Sequence, residues 1–181
     1  MDKVLFQQLN QVYAPLRGRA VHLTQRSTKE VVMRRTENIE LGVLCLIQQD
    51  GKYLLQDRVK EEWHGVTLPG GHIEPNESIT DAVVREMKEE TGLTIFRPQL
   101  CGVKQFPIEN GRYIVFLFRT DEFEGELVSS DEGEMRWISK HDLKNYNVVS
   151  DFDALIEVMT NDELNEFQYV VNNGDWVAVL K

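Results

Sequence analysis

Cysteine is scarce in this sequence: two thiols in 181 residues, too few for a disulfide framework. Cys45 and Cys101 each lie in an apolar run, VLCLI and QLCGV, where a thiol packs as a small hydrophobe. Long apolar runs are absent as well, since no segment approaches the roughly 20 uninterrupted apolar residues that a spanning helix needs. The opening MDKVLFQQLNQVY places Asp2, Gln7, Gln8 and Asn10 among its apolar residues, so it lacks the continuous apolar centre of a signal peptide. These absences set the expectation of a reducing, cytoplasmic location and no membrane partner.

Positive charge is also in short supply. Twenty Lys and Arg face 30 Asp and Glu, for a net charge of −10, and the average surface field should repel nucleic-acid phosphates. Nucleic acid is therefore not the expected partner. A small anionic substrate such as a nucleotide would need a local source of positive charge, most simply a divalent metal. The length suits one compact domain, and a hydrophobic share of 41% with 28% charged residues is that of an ordinary globular chain.

Residues 3–14 place Val4, Leu5, Leu9 and Val12 at helical spacing before Pro15 and Gly18 end the pattern. From Val21 to about Arg35 the β-branched content predicts an early strand or hairpin. A lone helix of about 12 residues is marginal in water, so the leading stripe needs a partner, and a homodimer is expected with intramolecular packing as the alternative. GVLCLIQQDGKYLLQDR reads as two strands about an Asp50-Gly51 turn, the run Val43–Ile47 being a central strand buried on both faces. Residues 63–76, with Trp63, Pro69, Gly70, Gly71, Pro75 and Asn76, are expected to be loop.

Further strands are expected near 100–106, 112–119 and 134–138, with a turn at Glu124-Gly125. A helix is expected over 151–168, and the closing WVAVL reads as a strand. Strands interspersed with a few helices predict an α/β sandwich on a mixed β-sheet. Residues 1–35 then form an extension to a domain of residues 36–181.

Ser78 followed by ITDAVVREMKEETG resembles a capping box with Asp81 in place of Glu, and Gly92 supplies the stop. At roughly 100° per residue, Ile79, Ala82 and Val83 share a stripe, while Asp81, Arg85 and Lys88 fall on the far side. Glu86 and Glu90 lie within roughly 20° of Ile79, with Glu89 at the stripe's edge. A solvated acidic face is the ordinary meaning of such a run. Carboxylates on a buried stripe, however, need a cation or a proton.

From Gly71 the chain runs GHIEPNESITDAVVREMKEETGL. Gly71, Glu77, Arg85, Glu86, Glu89, Glu90 and Gly92 occupy every fixed position of a Nudix box, with Met87 and Leu93 at its aliphatic sites. The chain thus resembles the Nudix hydrolase family, over about residues 40–143. The resemblance implies the Nudix α/β/α sandwich and a metal-dependent hydrolase that uses Mg²⁺, or Mn²⁺, to cleave a phosphoanhydride of a nucleotide derivative. It implies a metal shell of Glu86, Glu89 and Glu90 with the Gly70 carbonyl, and supporting roles for Gly71, Glu77 and Gly92. Arg85 is the orienting residue that it implies. Among Asp131, Glu132 and Glu134, Glu134 is the first choice of general base and Glu132 the next; an ordinary acidic loop is the alternative.

His22, His64, His72 and His141 are scattered singly, without zinc-site spacing. SSDEGEMRWIS with the later DFD segment resembles the branch that hydrolyses oxidised purine nucleotides such as 8-oxo-dGTP. Asn147, Asp151 and Asp153 are then candidate readers of the base, or alternatively helix N-caps. An ADP-ribose or nucleotide-sugar pyrophosphatase is the second expectation, and a noncatalytic nucleotide-sensing module the third.

Overall fold

The computed structural model describes residues 36–58, 65–129 and 133–181. The expected helix over 3–14, the early strand, His22, Trp63, His64, Asp131 and Glu132 lie outside the described residues.

Strand β1 (Asn38–Gln49) turns directly into β2 (Lys52–Arg58). Asp50 and Gly51 have φ of 50° and 73°, the two positive values that a tight hairpin turn requires. Two short strands follow, β3 (Gly65–Thr67) and β4 (Gly70–His72), and then helix α1 (Ile79–Thr91). A two-residue strand β5 (Thr94–Ile95) leads to the long pair β6 (Gln99–Ile108) and β7 (Gly111–Thr120). Strands β8 (Phe123–Glu124) and β9 (Gly133–Ser139) precede helix α2 (Phe152–Thr160). The hairpin of β10 (Glu166–Asn172) and β11 (Asp175–Leu180) closes the chain.

The principal sheet runs β11-β10-β6-β7-β1-β2-β3, with β4 added to β1 and β9 to β2. It is mixed: β1 lies parallel to β7 and antiparallel to β4, while β10 lies parallel to β6. Strand β1 explains its own composition. Val43, Cys45 and Ile47 pack with Ala82, Val83 and Met87 of α1, whereas Leu46 packs with Phe152, Leu155 and Met159 of α2. Each face of the sheet therefore carries a helix, which makes the α/β/α sandwich and explains a continuous apolar run in place of an alternating one. Burying each such aliphatic contributes about 1.5–3 kcal/mol.

Two expectations are corrected. Residues 63–76 are not all loop, because Gly70–His72 pair with Leu44, Val43 and Gly42 and Gly65–Thr67 pair with β2. Short strands without side-chain alternation leave no periodic signal. The helix expected over 151–168 stops at Thr160. The Asn161 side chain accepts from the Glu163 amide at 3.0 Å, a local bond that competes with continuing the helix. EFQYVVN is instead a strand, turned by Asn173 and Gly174 at φ of 51° and 93°.

Cys45 is fully buried, and the Cys101 thiol donates to the Leu117 carbonyl at 3.1 Å. Among the described residues, no helix is long and apolar enough to cross a membrane.

Candidate active site

Helix α1 starts as its sequence dictates. Ser78 Oγ accepts from the Asp81 amide at 3.0 Å, and Gly92 closes the helix at φ 75° with its amide donating to the Lys88 carbonyl. The caps set the ends of the helix, and its apolar stripe of Ala82, Val83 and Met87 packed on β1 sets its rotation, so Glu86 and Glu90, 9% and 7% exposed, sit on the buried side. Glu89 stays at the rim, its side chain 60% exposed.

The two buried carboxylates meet the start of strand β4. Glu90 Oε2 accepts from the Gly70 amide at 2.8 Å. The Glu86 carboxylate lies so close to Gly71 that a β-carbon there would fall 2.4 Å from its Oε2. A glycine is needed at 70 for another reason: its φ of 153° and the Val43 carbonyl beside it leave no room for a side chain.

Arg85 departs from the helical-wheel expectation. Its backbone lies off the buried stripe, but its guanidinium is half-buried and reaches back over the site. Nε donates to Glu77 Oε1 at 2.8 Å and Nη2 donates to Glu77 Oε2 and the His72 carbonyl at 2.9 Å each. Nη1 donates to Glu86 Oε1 at 2.8 Å and to Glu89 Oε2 at 3.0 Å. The long side chain allows this, since a planar guanidinium presents five donors in a fixed fork. Glu77 in turn accepts from the Glu74 amide at 2.9 Å, tying the loop to the helix.

The electrostatics follow from this geometry. The Arg85 fork, with the Glu74 amide, holds the Glu77 carboxyl down to about 2. Burial pushes the Glu86 carboxyl up, against the opposing pull of Arg85. Burial also raises the Tyr113 phenol, with Glu40 and Glu86 adding to it. Glu86 is thus a carboxylate held where water is scarce and charge is costly.

The donor set fits a hard divalent cation, which takes carboxylate and carbonyl oxygens: Glu86, Glu89 and Glu90 supply oxygens from one helix, two of them beside β4. Among the described residues, no three side chains converge tightly enough to hold a metal as they stand. Glu86 and Glu89 share Arg85 Nη1 instead, so closing a shell asks those carboxylates to turn away from the guanidinium. Gly70 is joined to the cluster through its amide.

The other expected residues lie on other elements. Glu134 on β9 is exposed and bonded to Arg136 Nη2 at 2.6 Å; no described contact joins it to α1. Asp151 stands at the N-cap of α2, yet makes no capping bond; its Oδ2 accepts from the Tyr169 hydroxyl at 2.8 Å. Asn147 is exposed, and its carbonyl accepts from the Val66 amide at 2.7 Å. Asp153 is exposed in the first turn of α2. His72 stacks on Tyr113 with ring centroids 5.6 Å apart.

Several side chains near Asp151 escaped the sequence reading. Lys104 Nζ lies 5.2 Å from the Phe167 ring centre and 5.4 Å from that of Tyr169, and Trp176 packs edge-on against Phe106 and Tyr169. The alternation in EFQYVV and DWVAVL about Asn-Gly was the available signal; the pairing with β6 was not visible locally.

The chain resembles known proteins in sequence and in fold. The family model described as NUDIX domain matches residues 38–158. The chain is 41% identical over 107 residues to the uncharacterized Nudix hydrolase YvcI of Bacillus subtilis, covering 56% of this chain and 66% of that protein. It is 39% identical over 92 residues to the ADP-ribose pyrophosphatase of Methanocaldococcus jannaschii, covering 49% and 54%. Less than two thirds of each relative is thus matched. Among solved structures, the MutT protein of Bacillus halodurans superposes with a TM-score of 0.65 at 28% identity, over 78% of this chain and 97% of that one.

Proposed function

This chain belongs to the NUDIX domain family, and we propose that it is a Mg²⁺-dependent hydrolase of nucleoside di- or triphosphate derivatives, cleaving a phosphoanhydride. One observation carries the reading: the buried carboxylates of Glu86 and Glu90 are set against the Gly-Gly start of strand β4, where a compensating cation and an anionic phosphate would approach together. Glu86, Glu89 and Glu90 would hold the metal, with the Gly70 carbonyl as a further oxygen. Mn²⁺ would be an acceptable substitute, since it too favours oxygen ligands. When bound, the ion supplies charge stabilisation for the attacking and leaving oxygens and an acidified water.

The chain's own residues do the rest. Arg85 holds the glutamates in register and, through Glu77 and the His72 carbonyl, fixes β4 to the helix. Gly71 leaves space that a side chain would close. Glu134 is the general base in this reading, with Oε2 bonded to Arg136 and its other oxygen able to accept a proton.

For the substrate, an oxidised purine nucleotide such as 8-oxo-dGTP is the first reading, with Asn147, Asp151 and Asp153 as readers of the base. The exposed carboxylate of Asp151, bonded to Tyr169 instead of capping its helix, supports it. ADP-ribose is the second reading, favoured by the Methanocaldococcus relative. The enzyme would act in the cytoplasm, as a homodimer in which residues 1–35 extend a hydrolase domain of residues 36–181; sedimentation of the full chain tests the dimer. Release of phosphate, pyrophosphate or nucleoside monophosphate from 8-oxo-dGTP, dGTP and ADP-ribose, with and without Mg²⁺, tests the activity. No metal-dependent release from any of them would overturn it.

A further inference from the structure

Strand register sets a row of side chains on the α2 face of the sheet. Phe106 pairs with Tyr113 and Lys104 with Val115, Phe167 pairs with Lys104, and Tyr169 pairs with Ala178. Paired residues share a face, so Tyr113, Phe106, Lys104, Tyr169 and Trp176 line one continuous wall. Its near end is His72, stacked on Tyr113 beside the glycines of β4. Counting β4, β1, β7 and β6 at about 4.8 Å per strand, Lys104 lies roughly 14 Å from those glycines. A nucleotide whose phosphates rest at the glycines would lay its base near Lys104.

Lys104 is an odd residue for such a wall. A lysine on an apolar surface ordinarily extends its ammonium to water or to a carboxylate. Here the ammonium is drawn in among Phe106, Phe167 and Tyr169, and burial lowers its pKa. Among the described residues it makes neither a hydrogen bond nor an ion pair. The carboxylate of Asp151 acts on it electrostatically and accepts from the hydroxyl of Tyr169, the ring whose centre lies 5.4 Å from the ammonium. Asp151 Oδ1 accepts no hydrogen bond among the described residues. A donor without an acceptor and a carboxylate oxygen without a donor thus flank one aromatic ring.

Resting on the hydrolase reading above, we propose that Lys104 is a specificity-determining residue that selects 6-oxopurine nucleotides. Its ammonium donates to the base carbonyl, Asp151 accepts from the adjoining N–H groups, and Phe106 and Trp176 supply the aromatic surface. Guanine presents that order, an O6 acceptor with an N2 amino donor beyond it, whereas adenine places an amino donor at the same corner. Against Lys104, adenine would set donor against donor, which leaves polar groups unpaired and lowers affinity. An oxidised guanine keeps the O6 and N2 groups and enters the same way.

Titration calorimetry of the full-length protein with GMP and AMP tests this without turnover, because neither ligand has a phosphoanhydride. Wild type should bind GMP about tenfold or more tightly than AMP. Lys104→Met should bring the ratio near one by weakening GMP and leaving AMP unchanged or tighter, with the melting temperature as a folding control. Lys104→Gln, which keeps one donor, should fall between. A wild type that binds neither nucleotide or shows no GMP preference overturns the proposal, as does a folded Lys104→Met or Lys104→Gln that keeps the full ratio. Failure of the hydrolase reading is a separate result: absence of metal-dependent product release by wild type.

Discussion

The Glu86 carboxylate occupies the space that a side chain at Gly71 would need, its oxygens 2.4 and 2.6 Å from where a β-carbon would stand. The obstacle is the end of a flexible side chain, so Gly71→Ala can be accommodated by turning Glu86 aside. Stability should fall by less than about 1.5 kcal/mol, while activity should fall about 10–100-fold because a ligand is misplaced. Gly70→Ala behaves differently. Its β-carbon would lie 2.1 Å from the Val43 carbonyl at φ 153°, and the backbone of the central strand cannot yield. A loss of about 3 kcal/mol is expected, lowering Tm by roughly 6–12 °C. Melting curves and turnover of the two variants check the contrast; equal stability loss would refute it.

Glu77 makes stability depend on pH in a definite window. Its carboxyl is held down to about 2 by Arg85 and the Glu74 amide, against about 4.3 in an unfolded chain. A depressed acid stabilises the fold above the unfolded value and loses that contribution as pH falls through the folded one. The stability gap between wild type and Glu77→Gln should therefore be full at pH 6 and shrink as pH drops from about 4.3 towards 2. Denaturant titrations at pH 6, 4 and 2.5 measure it. A gap that does not change with pH would mean that the Arg85 fork does not set the Glu77 carboxyl.

The two thiols should be inert in the native state. Burial pushes the Cys101 thiol up to about 11 and raises Cys45 further, and the thiolate is the reactive form. At pH 7.5, iodoacetamide should leave native protein unmodified over a period that fully alkylates the urea-unfolded chain. Mass spectrometry reads the difference; rapid native alkylation at Cys45 would contradict its burial.

The sequence carried the helix and its chemistry because both are local. Caps at Ser78 and Gly92 and the placement of Glu86 and Glu90 follow from a 3.6-residue period within one segment, and β1 was readable from an apolar run ended by Asp-Gly. The wheel alone set Arg85 on the far side because it locates the Cα and ignores the length of the side chain, whereas its bonds to Glu86 and Glu89 accord with the orienting role that the family resemblance implied. The strands at β3 and β4 were hidden by glycine and proline, whose chemistry reads as loop whether or not the backbone pairs. The wall around Lys104 was invisible because β6 and β10 are about 60 residues apart and pair in parallel, a register set by the whole fold.

Glu90 should prove indispensable to chemistry and dispensable to folding. Its Oε2 accepts from the Gly70 amide, a bond that the amide oxygen of Gln can replace, so Glu90→Gln should keep the wild-type Tm within about 2 °C. Gln lacks the charge that a hard cation requires. Activity should fall about 100-fold or more at limiting Mg²⁺ and recover in part as Mg²⁺ is raised. Chelation should abolish wild-type turnover, and added Mg²⁺ restore it. Near wild-type turnover by the variant at limiting Mg²⁺ would remove Glu90 from the metal shell.

Glu134 provides the sharpest test of the base assignment because its present partner is known. The carboxylate is exposed and its Oε2 is held by Arg136 Nη2 at 2.6 Å, a pairing that favours the charged form and so weakens it as a base. Exposed pairs of this kind contribute about 0–1 kcal/mol, which leaves the pair easy to open. If Glu134 is the base, Glu134→Gln should lower kcat by about 10²–10⁴-fold with KM nearly unchanged. Arg136→Gln, which frees the carboxylate, should keep or raise kcat. A Glu134→Gln enzyme within threefold of wild type would exclude Glu134 and move the search for the base to Glu132, the next candidate in the same segment.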